Sequence, residues 1–182
     1  MKFVIAPDKF KGSLTGFEFC TAVEKGLVKV FPQAEIIHLP LADGGDGTLE
    51  IAQHHLKGTK IEILVNDPFF RKIKASYVFS KDTEIAYIEM AEASGLKRIA
   101  ENEKNVMRAT SFGTGELILH AIEKGAKHIL LGIGGSATND CGMGMAAALG
   151  YSFLDANGQK LKPIGANLTQ VETIDVSNVQ EK

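Results

Sequence analysis

Two stretches of this sequence carry residue types that do chemistry on phosphate. The first is Gly132-Ile133-Gly134-Gly135-Ser136-Ala137-Thr138-Asn139-Asp140, between an apolar run (His128 to Ile133) and an Ala-rich helical segment reaching about Leu149. Glycine lets a backbone approach a ligand closely, and a helix start presents unpaired N–H groups at the positive end of its dipole. Gly134, Gly135, Ser136, Thr138 and Asn139 are therefore expected to contact the phosphates of a nucleotide. The plainer alternative is a tight strand-to-helix turn with Asn139 or Asp140 as N-cap. The second stretch is Ala42-Asp43-Gly44-Gly45-Asp46-Gly47-Thr48, which puts two carboxylates among glycines on a loop. One carboxylate can take a proton from a substrate hydroxyl, and the other can hold Mg²⁺. The alternative is an Asp-Gly turn with Asp46 beside a helix start, where negative charge is favourable anyway.

Two further clusters are candidates. Asp8-Lys9-Phe10-Lys11-Gly12-Ser13 follows the first strand, and its two lysines and acid suit a grip on phosphate or carboxylate. The other possibility is a solvated surface run. In Thr110-Ser111-Phe112-Gly113-Thr114-Gly115-Glu116, Thr114 either contacts phosphate or caps the helix with help from Glu116. Glu89 and Glu92 fall near the end of a hairpin with no role fixed by the sequence. The histidines show no metal-ligand spacing.

These groups must be positioned by regular elements. Phe3 to Ala6 predicts a short buried strand that Pro7 ends. Leu14, Phe17, Cys20, Val23, Leu27 and Phe31 recur at helical spacing, and Thr15 with Glu18 makes a capping-box signature. Strand Glu35–Leu39, helix Thr48–Leu56 with Gly58 as its stop, and strand Ile61–Val65 follow. This βαβαβ order predicts a parallel sheet. Arg71–Phe79 and Glu84–Met90 alternate as an antiparallel hairpin with one wet face. Thr114–Lys124 predicts a helix stopped by Gly125, and His128–Ile133 a buried strand. Tyr151–Leu154 with Asn157-Gly158 predicts a strand and a turn. The expected class is α/β: a Rossmann-like parallel sheet with helices on both faces, plus an antiparallel hairpin region of a second α/β domain. The corresponding division is 1–66 with 105–150, and 67–104 with 151–182.

Composition limits the possible functions. The chain has 182 residues, a formal net charge of −2, 45% hydrophobic and 23% charged residues. That excludes disorder as the main state and suggests no nucleic-acid or acidic-membrane partner. The N-terminal apolar run is too short for a secretory signal, and no span of ~18 uncharged apolar residues occurs. With two cysteines, Cys20 and Cys141, the expectation is a cytoplasmic protein without disulfides. Gly132, Gly134 and Ala137 also fit the dinucleotide fingerprint Gly-x-Gly-x-x-Ala, with Asp155 downstream. That match makes a nicotinamide- or flavin-binding domain the rival expectation.

The stretches Ala6–Leu14, Leu41–Thr48, Ala109–Leu117 and Gly132–Asp140 together resemble the bacterial glycerate kinase family of the first type, in family order and spacing. The resemblance covers essentially the whole chain and is weakest over the last thirty residues. It implies ATP-dependent, Mg²⁺-assisted phosphorylation of D-glycerate in a cleft between two α/β domains. On that basis Asp43 is the expected general base. Lys11 and Asp8 would handle substrate carboxylate or the transferring phosphate. Lys9, Ser13, Gly44, Gly45 and Asp46 would bind substrate, and Asp140 or Asp46 would hold Mg²⁺. Cys141 stands where the family usually has glycine. Family members are about twice this long, so the chain resembles their N-terminal half. An inactive fragment, a homo-oligomer, or a chain that pairs with the other half are therefore further expectations.

Overall fold

A computed structural model describes residues 1–8, 10, 13–45 and 47–179. Lys9, Lys11, Gly12 and Asp46, all singled out above, lie outside the described residues. The chain divides into two compact units, Met1–Asp43 and Gly44–Lys182.

In the first unit, β1 (Lys2–Ile5) and β2 (Glu35–His38) pair in parallel, joined by α1 (Gly16–Val30). α1 starts where the sequence predicts. The Thr15 hydroxyl accepts from the Glu18 N–H at 3.2 Å, and the Glu18 carboxylate accepts from the Thr15 N–H at 2.8 Å. This reciprocal cap satisfies two N–H groups that a helix start otherwise leaves unpaired. The parallel ladder continues past both strands, with Leu39 N–H donating to Ile5 O and Leu41 N–H to Pro7 O, each at 2.8 Å. Two strands and one helix cannot cover both sheet faces. Ile5 and Cys20 are buried, whereas Val4, Leu39 and Leu41 stay exposed.

The second unit holds a four-stranded sheet in the order β3-β4-β5-β6. Its strands are β3 (Thr59–Asn66), β4 (Lys72–Ser80), β5 (Ile85–Glu89) and β6 (His128–Gly132). β3 and β4 are antiparallel, as are β4 and β5, while β5 and β6 are parallel. This corrects the expected parallel β1-β2-β3 arrangement. Only residues 67–71 join β3 to β4, too few for a parallel crossover, so the strands must fold back. Asp67 builds that turn, its Oδ1 accepting from Phe69 and Arg71 N–H at 2.8 and 2.9 Å. The hairpin therefore shares a sheet with strands on either side of it in sequence. Helices on both faces are observed, but around this mixed sheet.

α4 (Phe112–Glu123) packs its Leu117, Ile118 and Ala121 on the Val65, Ala75, Tyr77, Ala86 and Ile88 face. α2 (Thr48–Leu56) sets Leu49 against Val78 and Tyr87 on the other face. The expected wet face of the hairpin is thus covered. β6, predicted as a buried strand, lies at the sheet edge with Leu130 exposed. The stop of α2 also differs. Lys57, not Gly58, takes the left-handed conformation (φ 50°). Gly58 is needed because a Cβ there would meet Val78 Cγ1 at 2.5 Å.

After β5 come α3 (Met90–Ser94) and two short 3-10 turns. α5 (Met143–Ala148) follows β6 and crosses α4. That crossing is close because both helices present glycine: a Cβ on Gly115 would lie 2.4 Å from Met145 O. The chain ends in antiparallel β7 (Ser152–Leu154) and β8 (Thr173–Asp175). The predicted Asn157-Gly158 turn is present, with Gly158 at φ 74°. Among the described residues, no helix is long and apolar enough to cross a membrane.

Candidate functional site

The parallel pair β5–β6 ends with Glu89 opposite Gly132. Around this edge the second unit gathers its glycine-rich loops. Gly134 N–H donates to Gly44 O at 3.1 Å. A Cβ on Gly132 would lie 2.7 Å from Gly44 O, and one on Gly134 would lie 2.7 Å from Gly45 Cα. Both glycines are thus required by contact between two loops. The sequence suggested close approach to phosphate instead. A Cβ does not fit between backbones packed this tightly.

The residues after Gly134 line up on a second neighbour. Leu96 N–H donates to Gly135 O and Ala137 N–H to Ser94 O, both at 2.9 Å. Ser136 and Thr138 are half-buried, their hydroxyls 3.0 Å apart, and Thr138 N–H donates to Ser136 Oγ at 3.1 Å. Gly135 and Asn139 are exposed. So Ser136, Thr138 and Asn139 keep polar groups at or near the surface, while Gly135 has φ 71°. These four are the phosphate-contact candidates that the structure keeps accessible.

Asp140 is placed differently from expectation. It is 1% exposed. Its Oδ2 accepts from Ser111 N–H at 2.7 Å, Ser111 Oγ at 2.8 Å and Gly144 N–H at 3.0 Å. Its Oδ1 accepts from Gly142 N–H at 3.2 Å. A carboxylate so bonded is an anchor rather than an open cation ligand. The same contacts correct the helix start. α5 begins at Met143 with Gly142 as N-cap, so neither Asn139 nor Asp140 holds that position. Its early N–H groups go to Asp140 and, from Met145, to Ser111 Oγ at 2.9 Å. They are taken by the protein, not left for an anion. The dinucleotide reading loses its basis too, because that fingerprint needs a helix opening directly after the glycines.

Thr114, the remaining phosphate candidate, is fully buried and bonded to Ser94 Oγ at 2.8 Å. It does not cap α4 either; Ser111 is the N-cap. Glu116 accepts from Asn66 N–H and Nδ2 at 2.5 and 2.9 Å, tying α4 to β3. Two residues that the sequence reading named without a role acquire one. Ser111, fully buried, carries no local signal, since its partners lie 29 and 34 residues away. Glu89 does have one: a carboxylate ending the apolar strand Ile85–Ile88. It is 1% exposed, and its Oε1 accepts from Leu49 N–H at 2.5 Å.

In the first unit, Asp8, Ser13 and Asp43 are all exposed. The extended ladder through Pro7 and Leu41 brings Asp8 and Asp43 out at the same edge, the carboxyl end of both strands. Ser13 N–H donates to Phe10 O at 3.0 Å, closing a turn.

This is a mixed α/β protein with an acidic loop and a hydroxyl-bearing loop, each following the end of a parallel strand. The glycerate kinase family model matches residues 3–182. The glycerate kinase of Bacillus cereus is 44% identical over 182 residues, covering 100% of this chain and 48% of that protein. The glycerate 2-kinase of Escherichia coli K12 matches at 44% with the same coverage. A crystal structure from Salmonella typhimurium LT2, of a protein assigned as glycerate kinase 2, superposes with a TM-score of 0.90 at 44% identity, covering 98% of this chain and 48% of that one. The chain belongs to the glycerate kinase family. It spans about half the length of the curated relatives it matches.

Proposed function

We propose that the intact protein transfers the terminal phosphoryl group of ATP to a hydroxyl of D-glycerate. Family membership supports this reading, and one observation carries it. The Gly134 N–H to Gly44 O bond holds Gly44 and Gly45 against the loop bearing Ser136, Thr138 and Asn139. A kinase needs phosphate-directed donors on a fixed loop, because positioning and charge neutralisation supply most of the catalysis. ATP supplies an activated phosphoryl group, and Mg²⁺ offsets its charge.

The chain's own groups take the following roles. Asp43, one peptide bond before Gly44, accepts the proton of the substrate hydroxyl as its oxygen bonds to phosphorus. Ser136, Thr138 and Asn139 donate hydrogen bonds to phosphate oxygens, with Gly134 and Gly135 shaping their loop. Lys11 and Asp8 handle the substrate carboxylate or the transferring phosphate, and Lys9, Ser13, Gly44, Gly45 and Asp46 bind substrate. Among the described residues no group of three or more His, Cys, Asp or Glu could hold a metal ion, and Asp140 is already bonded to the protein. Asp46, the other candidate for Mg²⁺, lies outside the described residues, and these roles involve no metal-bound step.

A coupled assay of ADP release with ATP and D-glycerate tests the reading. Turnover is expected in the intact protein. Asp43→Asn should lower kcat by about 10²- to 10⁴-fold, the range for a lost general base, with little change in the KM for ATP. A folded, intact protein that gives no turnover would overturn the proposal. The 182-residue chain assayed alone separates a catalytic unit from one that only folds or associates.

A further inference from the structure

The loop that opens the second unit is held at both ends. At its start, Gly44 O accepts from Gly134 N–H at 3.1 Å. At its far end, Thr48 N–H and Oγ1 donate to Gly45 O at 3.1 and 2.7 Å, and Leu49 N–H donates to Glu89 Oε1 at 2.5 Å. Leu49 is the second residue of α2, whose N-cap is Gly47 and whose start has no side-chain cap from its own segment. Glu89, 40 residues later in sequence, supplies the missing acceptor. Its backbone is simultaneously in register with Gly132, on the strand leading to the second loop. One buried carboxylate therefore links both loops.

We infer that Glu89 is a positioning residue for phosphoryl transfer, holding the 44–48 loop in register with the 132–139 loop through the N-terminus of α2. A carboxylate 1% exposed is costly to bury. The helix N–H and the positive dipole end offset that cost, so the site selects for an acceptor at this atom. Glu89 touches no reacting group in this account. It acts through Leu49 and through Thr48, which bonds Gly45 O.

This inference rests on the kinase reading, and its test separates the two. Glu89→Gln keeps an oxygen acceptor for Leu49 N–H, and Glu89→Ala removes it. In the intact protein, Glu89→Ala should lower kcat at least 10-fold per folded molecule, with the KM for ATP within about 2-fold. Glu89→Gln should recover most of that loss. Equal damage by both variants, or a folded Glu89→Ala variant with unchanged kcat, would overturn the inference. If the wild type does not phosphorylate D-glycerate, the kinase reading fails, and amide exchange decides the remainder. Leu49 N–H should then exchange at least 10-fold faster in Glu89→Ala than in wild type or Glu89→Gln. An unchanged rate overturns the link.

Discussion

Ser111 gives both its backbone N–H and its hydroxyl to the same oxygen of Asp140, at 2.7 and 2.8 Å. Through this pair the starts of α4 and α5 are fixed to each other. The hydroxyl also accepts from Met145 N–H, and Asp140 also takes Gly144 N–H. Asp140→Ala strands several buried donors at once. Each unpaired buried donor costs about 1–3 kcal/mol, so a total loss near 3 kcal/mol or more is expected. Asp140→Asn keeps one acceptor oxygen and should cost less. Urea unfolding checks both. A stable Asp140→Asn variant whose only change is a raised Mg²⁺ requirement would instead favour Asp140 as the metal ligand.

Gly134 and Gly135 are adjacent but predict different outcomes. A Cβ on Gly134 would press on Gly45 Cα at 2.7 Å and Gly45 N at 3.0 Å. Gly134→Ala must therefore part the two loops, with an expected loss of at least 10-fold in turnover. Gly135 is exposed and sits at φ 71°. The cost of Gly135→Ala is backbone strain of roughly 1–2 kcal/mol, read as lowered stability with a smaller effect on kcat. Paired melting and rate measurements distinguish the two.

The two thiols should react at different rates. Cys20 is fully buried, with its thiol against Ile5 O at 3.5 Å, and desolvation pushes its pKa up. Cys141 is exposed, at φ 49°. An aromatic disulfide reagent at pH 8 should label Cys141 at once and Cys20 only after denaturant is added. Two fast equivalents from the folded chain would contradict the burial of Cys20.

Alkaline pH should unfold the chain through Tyr77. Its hydroxyl is fully buried, bonds His120 Nδ1 at 2.9 Å, and has its pKa pushed up to about 12 by desolvation. The folded state thus holds this proton more tightly than the unfolded state, whose tyrosine titrates near 10. Stability from this group is complete below about pH 10 and is lost as pH rises toward 12. Absorbance at the phenolate band should show a late ionisation that is absent in Tyr77→Phe, together with the loss of helical signal. An unchanged late phase in a folded Tyr77→Phe variant would count against this.

What the sequence determined by itself is local. The Thr15–Glu18 cap, the hairpin from β4 to β5 and the Asn157-Gly158 turn each depend on residues a few positions apart. The spacing of glycine, acid and hydroxyl residues marked the loops for the same reason, and the four family stretches identified the chain. The jobs of those residues were not local. Ile61–Val65 joins an antiparallel edge rather than a parallel sheet, although the alternation of Lys60, Ile61, Glu62 and Ile63 already signals one wet face. Gly132 and Gly134 are glycine because Gly44 and Gly45 lie against them, nearly ninety residues away in the chain. Asp140 serves Ser111, and Glu89 serves Leu49, at separations of 29 and 40 residues. Only the folded sheet decides such pairs, because a carboxylate's role depends on which donors the packing leaves unpaired beside it.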